Sequence, residues 1–391
     1  MKQPKIKYWK VVISLANHFI QPGSTIGIIG GGQLGRMMAL AAKEAGYRII
    51  VLDPTEDCPA GQAADQQIVA TYDDLDALKK LGQLSDVVTF EFENIDYGTL
   101  KELTETAYVP QGADIIRITQ DRILEKAALV EAGVEVAPYA VIHEKQEIYD
   151  NIDRLGFPAV LKTSRGGYDG KGQHVIKSTE DIAEAADLLG KGPCVLEAWI
   201  PFEKEVSVIV ARNPDGNVAY FPVGENIHVQ NILHETIVPA RVNTSTADEA
   251  YQVAEKVAEH FALVGTLAIE MFVAKDGGIL VNELAPRPHN SGHYSIEACS
   301  VSQFGQHIRA VCNWPLTTPK LLKPAVMVNL LGKHLDVLNE EIVKNPHWSV
   351  HLYGKDVPKP LRKMGHVTVL ADQLEDTLDE LEKNPVWNEK V

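Results

Sequence analysis

The sequence predicts a mixed α/β protein that begins as a parallel sheet with helices on both faces and continues as an α+β unit. Three observations carry this. Strand-like and helical segments alternate up to about residue 110, the glycine-rich run Gly30-Gly31-Gly32-Gln33-Leu34-Gly35 follows the first strand, and a strong hairpin pattern spans 267–284. The 391 residues suffice for two or three domains with a large core.

In chain order, 25–30 is an apolar strand, 34–45 a helix and 47–53 the next strand. A short strand at 67–70, a helix at 73–81 and a strand at 86–90 continue the alternation. A longer helix is expected over 114–132, then a strand at 137–142, a helix at 144–155 and a strand at 158–163. A glycine-rich loop leads to a strand at 174–177, a helix at 179–189 and a strand at 194–200. Strands at 205–211 and 218–223 flank the turn Asn213-Pro214-Asp215-Gly216, and a helix at 247–262 leads into the hairpin. Residues 295–313 read as one helix, and the last 70 as short strands and turns. No internal repeat or low-complexity stretch interrupts this order.

Composition narrows the function classes. Hydrophobic residues make up 45% and charged residues 23%, ordinary for a soluble globular chain. Fifty-three acidic residues against 37 basic give a net charge of −16, which argues against nucleic acid or an anionic membrane as partner. Cys58, Cys194, Cys299 and Cys312 are widely spaced, as expected of reduced thiols in a cytoplasmic protein. No apolar run approaches the ~20 residues that cross a bilayer. A basic start followed by a moderately apolar stretch faintly echoes a signal peptide, but Asn17 and His18 interrupt it. Residues 1–24 therefore read as an extension ahead of the first strand.

The densest chemistry lies in Asn282-Glu283-Leu284-Ala285-Pro286-Arg287-Pro288-His289-Asn290-Ser291-Gly292-His293-Tyr294. Little in it is apolar, so it reads as the floor of a site for a metal and an anion. If Asp276-Gly277 forms a two-residue type I′ turn, Glu270 faces Glu283 across the hairpin. Facing carboxylates repel, so the pair points to a cation between them, and oxygen ligands favour Mg²⁺. A Gly277-Gly278 turn would instead put Glu270 opposite Ala285. Two solvated glutamates are the alternative.

Further motifs have two readings each. The run at Gly30–Gly35 fits G-x-G-x-x-G, and Asp53 follows Gly35 by 18 residues, as a ribose-binding acid would in a dinucleotide enzyme. The alternatives are a plain tight turn or a seat for a different phosphate. Lys162 precedes the second glycine-rich loop, Arg165-Gly166-Gly167-Tyr168-Asp169-Gly170-Lys171-Gly172-Gln173, which is not a Walker A loop. It reads as a flap whose amides cover a triphosphate, or as a surface hairpin. Glu91-Phe92-Glu93-Asn94 ends a parallel strand, where open α/β sheets place ligands. Lys355, Arg362 and Lys363 share one turn region and read as an anion clamp or a solvated basic turn. His228 and His234, taken alone, read as structural.

Together these blocks resemble the 5-(carboxyamino)imidazole ribonucleotide synthetase family, with the motifs in order from about residue 25 to 370. The resemblance implies an ATP-grasp fold. Its expected parts are an N-terminal extension at 1–24, a Rossmann-like pre-ATP-grasp domain at 25–113, an ATP-grasp domain at 114–315 with a lid near 137–200, and a small β-rich C-terminal domain at 316–391. It implies carboxylation of 5-aminoimidazole ribonucleotide with ATP and bicarbonate, through carboxyphosphate, in purine biosynthesis. Mg²⁺, with Mn²⁺ as an alternative, would sit on Glu270 and Glu283. Arg122, Lys162 and the flap residues Gly167, Tyr168, Asp169, Gly170, Lys171, Gly172 and Gln173 would contact ATP phosphates. Glu197, Ala198, Trp199 and Ile200 would line the adenine, Glu205 the ribose, with His228 and Asn282 also at the nucleotide. The matching substrate positions are Tyr168, Asp169, Lys171, Lys355 and Arg362, with Glu91 or Glu93. Arg287, His289 and Asn290 look like the bicarbonate site. A cytoplasmic homodimer that hands its product to the downstream mutase is also implied. Lys171 stands where many relatives carry Arg, which replaces a bidentate contact by a point charge. Residues 1–24 match nothing in the family pattern.

Three other classes predict different behaviour. A nicotinamide-dependent oxidoreductase would bind NADH without Mg·ATP. Another ATP-grasp ligase would share Glu270, Glu283 and the flap but lack the block around His289. A non-catalytic scaffold would bind ATP without turnover.

Overall fold

In the computed structural model, which describes residues 19–167 and 171–388, the chain opens with β1 (Thr25–Ile29), β2 (Arg48–Asp53), β3 (Gln66–Val69) and β4 (Val87–Phe90). They form a parallel sheet in the order β3-β2-β1-β4. β4 is buried throughout and β1 nearly so, which is why both read as unbroken apolar runs. The chain moves one way from β1 to β3 and then places β4 on the other side of β1. Ligands of such sheets bind at the carboxyl ends of the strands where the order reverses. Gly30 to Gly32 leave β1 there, and Glu91 to Asn94 leave β4 there. Gly30 has φ +107°, and a Cβ on it would collide with the Glu91 side chain. Of the expected extension, 1–18 lies outside the described residues. Ile20 is buried, and its carbonyl accepts from Tyr47 Oη at 2.6 Å.

The helix expected over 114–132 is two helices, Asp114–Thr119 and Arg122–Glu131. Asp121 causes the break, because its carboxylate caps the second helix by accepting from Ile123 N at 3.0 Å. Next come β5 (Tyr139–Ile142), β6 (Ala159–Thr163), β7 (Gln173–Ile176) and β8 (Cys194–Ala198), an antiparallel sheet ordered β5-β8-β6-β7. The helix expected at 179–189 is an α-helical turn, Ile182–Ala185, between 3₁₀ segments.

The largest sheet has nine strands. They are β9 (Phe202–Arg212), β10 (Val218–Tyr220), β11 (Gly224–Val229), β12 (Ile232–Val238), β13 (Gly265–Ala274), β14 (Ile279–Ala285), β15 (Ala325–Leu331), β16 (Trp348–Leu352) and β17 (Lys363–Leu370). The order is β14-β13-β9-β11-β12-β15-β17-β16, with β10 on β9. The carboxyl-terminal strands thus extend the same sheet through the β12–β15 pairing. Two helices, Leu335–Lys344 and Leu374–Lys383, correct the expectation of only strands and turns there. Their apolar stripes are narrow, with Leu338 and Leu381 buried among many acids, so the helical period is diluted in the sequence. The helix expected at 295–313 is also split, into Ser295–Ala298 and Gln303–Val311, the second capped by Ser302. No helix among the described residues is long and apolar enough to cross a membrane.

A buried hydrogen-bond chain seats the first sheet on the large one. Thr266 N donates to His307 Nδ1 at 3.1 Å, which leaves the ring proton on Nε2. Nε2 donates to Thr89 Oγ1 at 2.8 Å, the Thr89 hydroxyl donates to Gln111 Oε1 at 2.5 Å, and Gln111 Nε2 donates to the Pro286 carbonyl at 3.4 Å. Burial pushes the His307 pKa down to about 3, so the ring stays neutral. The chain runs from β13 through β4 to the residue before Arg287.

Candidate active site

A cavity of about 660 Å³ lies between the two antiparallel sheets and the carboxyl end of the first one. Glu270 on β13 and Glu283 on β14 face each other in it as directly paired residues. The expected pair is present, but the expected turn is not. Ala274 N donates to Gly278 O at 2.9 Å, so the loop is 275–277, with Gly277 at φ +89°. That register alone would offset the two glutamates. A bulge at Asn282 restores them, because Met271 pairs with Val281 whereas Glu270 pairs with Glu283. Asn282, left over in the ladder, also lines the cavity.

The pair is electrostatically costly by itself. Burial, then the Glu283 charge, raises the Glu270 carboxyl pKa, with His228 pulling the other way. Burial also raises Glu125, with Glu283 again adding to it. Arg122 is 3.5 Å from Glu283, and His289 Nε2 is 3.5 Å from Glu270. A hard divalent cation fits this donor set, since it removes the repulsion and takes oxygen ligands. Among the described residues no group of three or more His, Cys, Asp or Glu forms a self-contained metal cage. Two carboxylates with positions left for phosphate and water are what Mg²⁺ uses.

One wall of the cavity is cationic and apolar by turns. Arg122 opens the helix Arg122–Glu131, and its backbone N donates to the Ser164 carbonyl at 2.9 Å. Lys162 on β6 lies 2.9 Å from Glu197 on β8, and the buried Lys126 lies 3.3 Å from the other Glu197 oxygen. Lysines on both sides keep Glu197 ionised despite its burial. Ala198, Trp199 and Ile200 continue the wall, beside the stacked rings of Phe202 and Phe272 at 4.7 Å. Glu205 sits 2.9 Å from His228. Burial works against the charged imidazole, but Glu205 and Glu270 outweigh it, so the His228 pKa is raised.

At the opposite end, Arg287 Nη2 lies 2.7 Å from Glu93 Oε1, joining the loop after β14 to the loop after β4. The His289 side chain is 15% exposed, and desolvation, then Arg287 and Lys363, hold its pKa well down, so it is neutral. Ser291 N donates to its Nδ1 at 3.3 Å, and the Ser291 hydroxyl, itself receiving a bond from Ser207 Oγ at 2.9 Å, lies 2.9 Å from the same atom. The ring proton is therefore on Nε2, the side of Glu270. Gln303 clamps the His289 backbone from both sides, at 2.8 Å and 2.7 Å.

Comparisons with known proteins give the family of the chain. The chain matches family models described as a ribonucleotide synthetase preATP-grasp domain at 24–120, an ATP-grasp domain at 127–304 and a phosphoribosylaminoimidazole carboxylase C-terminal domain at 325–380. It is 52% identical to the N5-carboxyaminoimidazole ribonucleotide synthase of Bacillus subtilis over 354 residues, 90% of this chain and 93% of that one. The chain belongs to the N5-carboxyaminoimidazole ribonucleotide synthase family. Its fold matches a crystal structure of an N5-carboxyaminoimidazole ribonucleotide synthetase complexed with ADP at TM-score 0.93 and 54% identity, covering 95% of this chain and 98% of that one. An Aspergillus clavatus N5-carboxyaminoimidazole synthase, complexed with ADP and 5-aminoimidazole ribonucleotide, matches at TM-score 0.87 and 31% identity over 94% of this chain and 99% of that one.

As a member of this synthase family, the chain brings most of the expected residues to one cavity. Glu93, Arg122, Lys162, Gly167, Lys171, Gln173, Glu197 to Ile200, Glu205, His228, Glu270, Asn282, Glu283, Arg287, His289 and Asn290 all line it. Tyr168, Asp169 and Gly170 lie outside the described residues. Gly172 stands behind the wall, where its carbonyl accepts from Thr163 N at 2.8 Å. Glu91 is turned away and accepts from Gly35 N at 2.6 Å and from Gly32 N. Lys355 is tucked beneath, donating to the Lys363 carbonyl at 2.7 Å. Burial, then Arg362, pushes its pKa down to about 8, with Glu91 opposing. Arg362 is exposed and donates to Val357 O at 3.0 Å, whereas Lys363 reaches the cavity wall. His234 belongs to a separate small cavity beside the helix Leu374–Lys383.

The site also disposes of the dinucleotide reading. Asp53 accepts from Gly31 N at 2.7 Å, Thr55 N at 2.8 Å and Tyr72 Oη at 2.5 Å, so its oxygens are spent inside the protein. The Glu91 carboxylate holds the glycine turn where a pyrophosphate would lie. Gln33 and Leu34, at the first turn of the next helix, do reach the cavity. Glu125 and Lys126 escape sequence reasoning, because an adjacent acid and base in a helix read as a solvated pair. Their only signal is their spacing of three and four residues from Arg122.

Proposed function

We propose that this chain catalyses the ATP- and bicarbonate-dependent carboxylation of 5-aminoimidazole ribonucleotide to N5-carboxyaminoimidazole ribonucleotide in purine biosynthesis, releasing ADP and phosphate. The supporting observation is that the Glu270–Glu283 pair and the Arg287, His289 and Asn290 corner share one cavity. A phosphoryl donor and its acceptor must meet within bonding reach, and this arrangement brings them together.

In the proposed order, Arg122, Lys162 and the flap hold the ATP phosphates, while Ala198 to Ile200 bracket the adenine and Glu205 with His228 takes the ribose. Mg²⁺, or Mn²⁺, held by Glu270 and Glu283 would offset the charge that develops as the γ-phosphoryl group moves. Arg287, His289 Nε2–H and Asn290 orient bicarbonate so that one of its oxygens attacks the γ-phosphorus. The bond to ADP breaks and carboxyphosphate forms. The exocyclic amine of the imidazole attacks the carboxyl carbon directly or after CO₂ release, phosphate leaves, and the nitrogen loses a proton. Glu93, at the first sheet's crevice, is the cavity-lining residue proposed for the imidazole substrate; the family resemblance adds Tyr168, Asp169, Lys355 and Arg362 to that role. Closure of the flap excludes water from an intermediate that hydrolyses readily.

The helix following Gly32 offers Gln33 and Leu34 to the ribonucleotide phosphate, as expected of a helix amino terminus. The proposed organisation has domains at 25–113, 114–315 and 316–391, in a cytoplasmic homodimer that hands its product to a mutase; the family resemblance supports it. Bicarbonate labelled with heavy oxygen tests the chemistry. Label is expected in the released phosphate only when 5-aminoimidazole ribonucleotide is present. Turnover that leaves phosphate unlabelled would overturn the attack by bicarbonate.

A further inference from the structure

Asn290 cannot turn either end of its amide to the cavity at will. Its Nδ2 donates to Asn329 Oδ1 at 3.0 Å, and Asn329 Nδ2 donates back to Asn290 Oδ1 at 2.6 Å. Such a reciprocal pair is symmetric, since turning both amides over would rebuild both bonds. A third contact breaks the symmetry. Asn329 Nδ2 also donates to the backbone carbonyl of Leu233 at 2.8 Å. A carbonyl only accepts, so the Asn329 amino group must face it. Asn329 lies on β15 and is 1% exposed, and Leu233 lies on β12, three strands before it along the chain and adjacent to it in the sheet. With Asn329 fixed, Asn290 Oδ1 is already an acceptor within the protein, and one N–H of Nδ2 is left over.

We infer that Asn329 is a positioning residue for the anion corner: by way of Leu233 it locks Asn290 as a hydrogen-bond donor toward the ligand. The same logic fixes His289, whose Nδ1 accepts from Ser291 N, leaving Nε2–H on the Glu270 side of the cavity. Arg287 has donors only. All three groups at the corner are thereby limited to N–H. A wall of donors favours an anion that turns unprotonated oxygens to it, as bicarbonate can with two of its three, over a neutral carboxylic acid, which has only one such oxygen and no charge. Carboxyphosphate carries more charge than bicarbonate, so the same wall stabilises what forms from it more than bicarbonate itself. This inference rests on the proposed function above.

The test is Asn329→Asp in the full-length enzyme, with KM measured separately for bicarbonate and ATP. An aspartate keeps the shape but cannot donate to Leu233 O or Asn290 Oδ1, so the Asn290 carbonyl loses its partner and the amide is freed to turn. The KM for bicarbonate is expected to rise about tenfold or more, as for a lost hydrogen bond to an ion. The KM for ATP is expected to stay within about twofold. In an Asn290→Ala background, adding Asn329→Asp is expected to change the bicarbonate KM by less than about twofold, because the group it acts through is gone. An unchanged bicarbonate KM, a parallel rise in both KM values, or additive effects in the double variant would each overturn the inference. If Asn329→Asp does not fold, Asn329→Ser carries the same expectations and the same refutations. Absence of bicarbonate-dependent turnover in the unaltered enzyme would overturn the proposed function and this inference together. Turnover with unchanged bicarbonate KM in the variant would overturn this inference alone.

Discussion

Arg287 and Glu93 form a 2.7 Å ion pair that joins the loop after β14 to the loop after β4. Both are about four-fifths buried, with side chains 19% and 21% exposed. The pair places the residue assigned to bicarbonate beside the residue assigned to the imidazole substrate, across the boundary between the two sheets. Removing Arg287 would leave Glu93 without its cation and, on the proposed reading, the bicarbonate without its anchor.

Arg287→Ala should therefore lower kcat/KM by about a hundredfold or more, the scale of losing one preorganised donor to a developing anion. Arg287→Lys should recover only part of this, because an ammonium cannot span two oxygens. Steady-state kinetics at varied bicarbonate check both. A variant with near-normal kcat/KM would remove Arg287 from the anion site.

The Glu270 carboxyl has its pKa raised in the folded protein, so without a cation its ionised form costs stability. That cost is present above the folded pKa and disappears as pH falls toward the unfolded value. Glu270→Gln should raise the metal-free melting temperature at pH 8 and change it little at pH 5. The variant should also lose most of the added stability that Mg·ATP gives the unaltered protein. Thermal melts at the two pH values test this; a lower metal-free melting temperature at pH 8 would contradict the repulsion argument.

His228 shows the opposite sign. Its pKa is raised by Glu205 and Glu270 over the opposing effect of burial. The stability it adds is full below the unfolded pKa and is lost as pH rises through the folded one. His228→Asn should therefore cost more stability at pH 6 than at pH 9. Equal losses at both would show that the imidazole acts only by packing.

Thr89→Val breaks the buried chain at its centre, leaving His307 Nε2–H and Gln111 Oε1 without that partner. A loss of about 1–3 kcal/mol is expected from the stranded groups. Because the chain ends at the residue before Arg287, the KM for bicarbonate should rise more than the KM for ATP. Denaturant unfolding and substrate-varied kinetics measure the two effects. A stability loss with both KM values unchanged would confine the chain to a structural role.

The sequence was informative wherever function needs neighbours along the chain. The glycine run after β1, the polar block after β14 and the alternation of the first sheet were all legible. The Glu270–Glu283 pairing was legible too, although the expected turn differs by one residue and the bulge at Asn282 compensates for it. Asp53 misleads because its spacing from Gly35 suits a dinucleotide enzyme, while Gly31 and Tyr72 occupy its carboxylate. Ser207 and Asn329 carry no local signal. They reach Ser291 and Asn290 across 84 and 39 residues of chain, through sheet pairings that no short window contains. Glu91 and Glu93 have the same strand-end context, and only the packing of Gly32 and Gly35 against Glu91 separates them.

The most direct measurement is ADP release from Mg·ATP and bicarbonate, with and without 5-aminoimidazole ribonucleotide. The account predicts strong stimulation by the imidazole substrate and loss of that stimulation in Glu283→Ala, with the variant still folded. Release of ADP that does not respond to the imidazole substrate would contradict it.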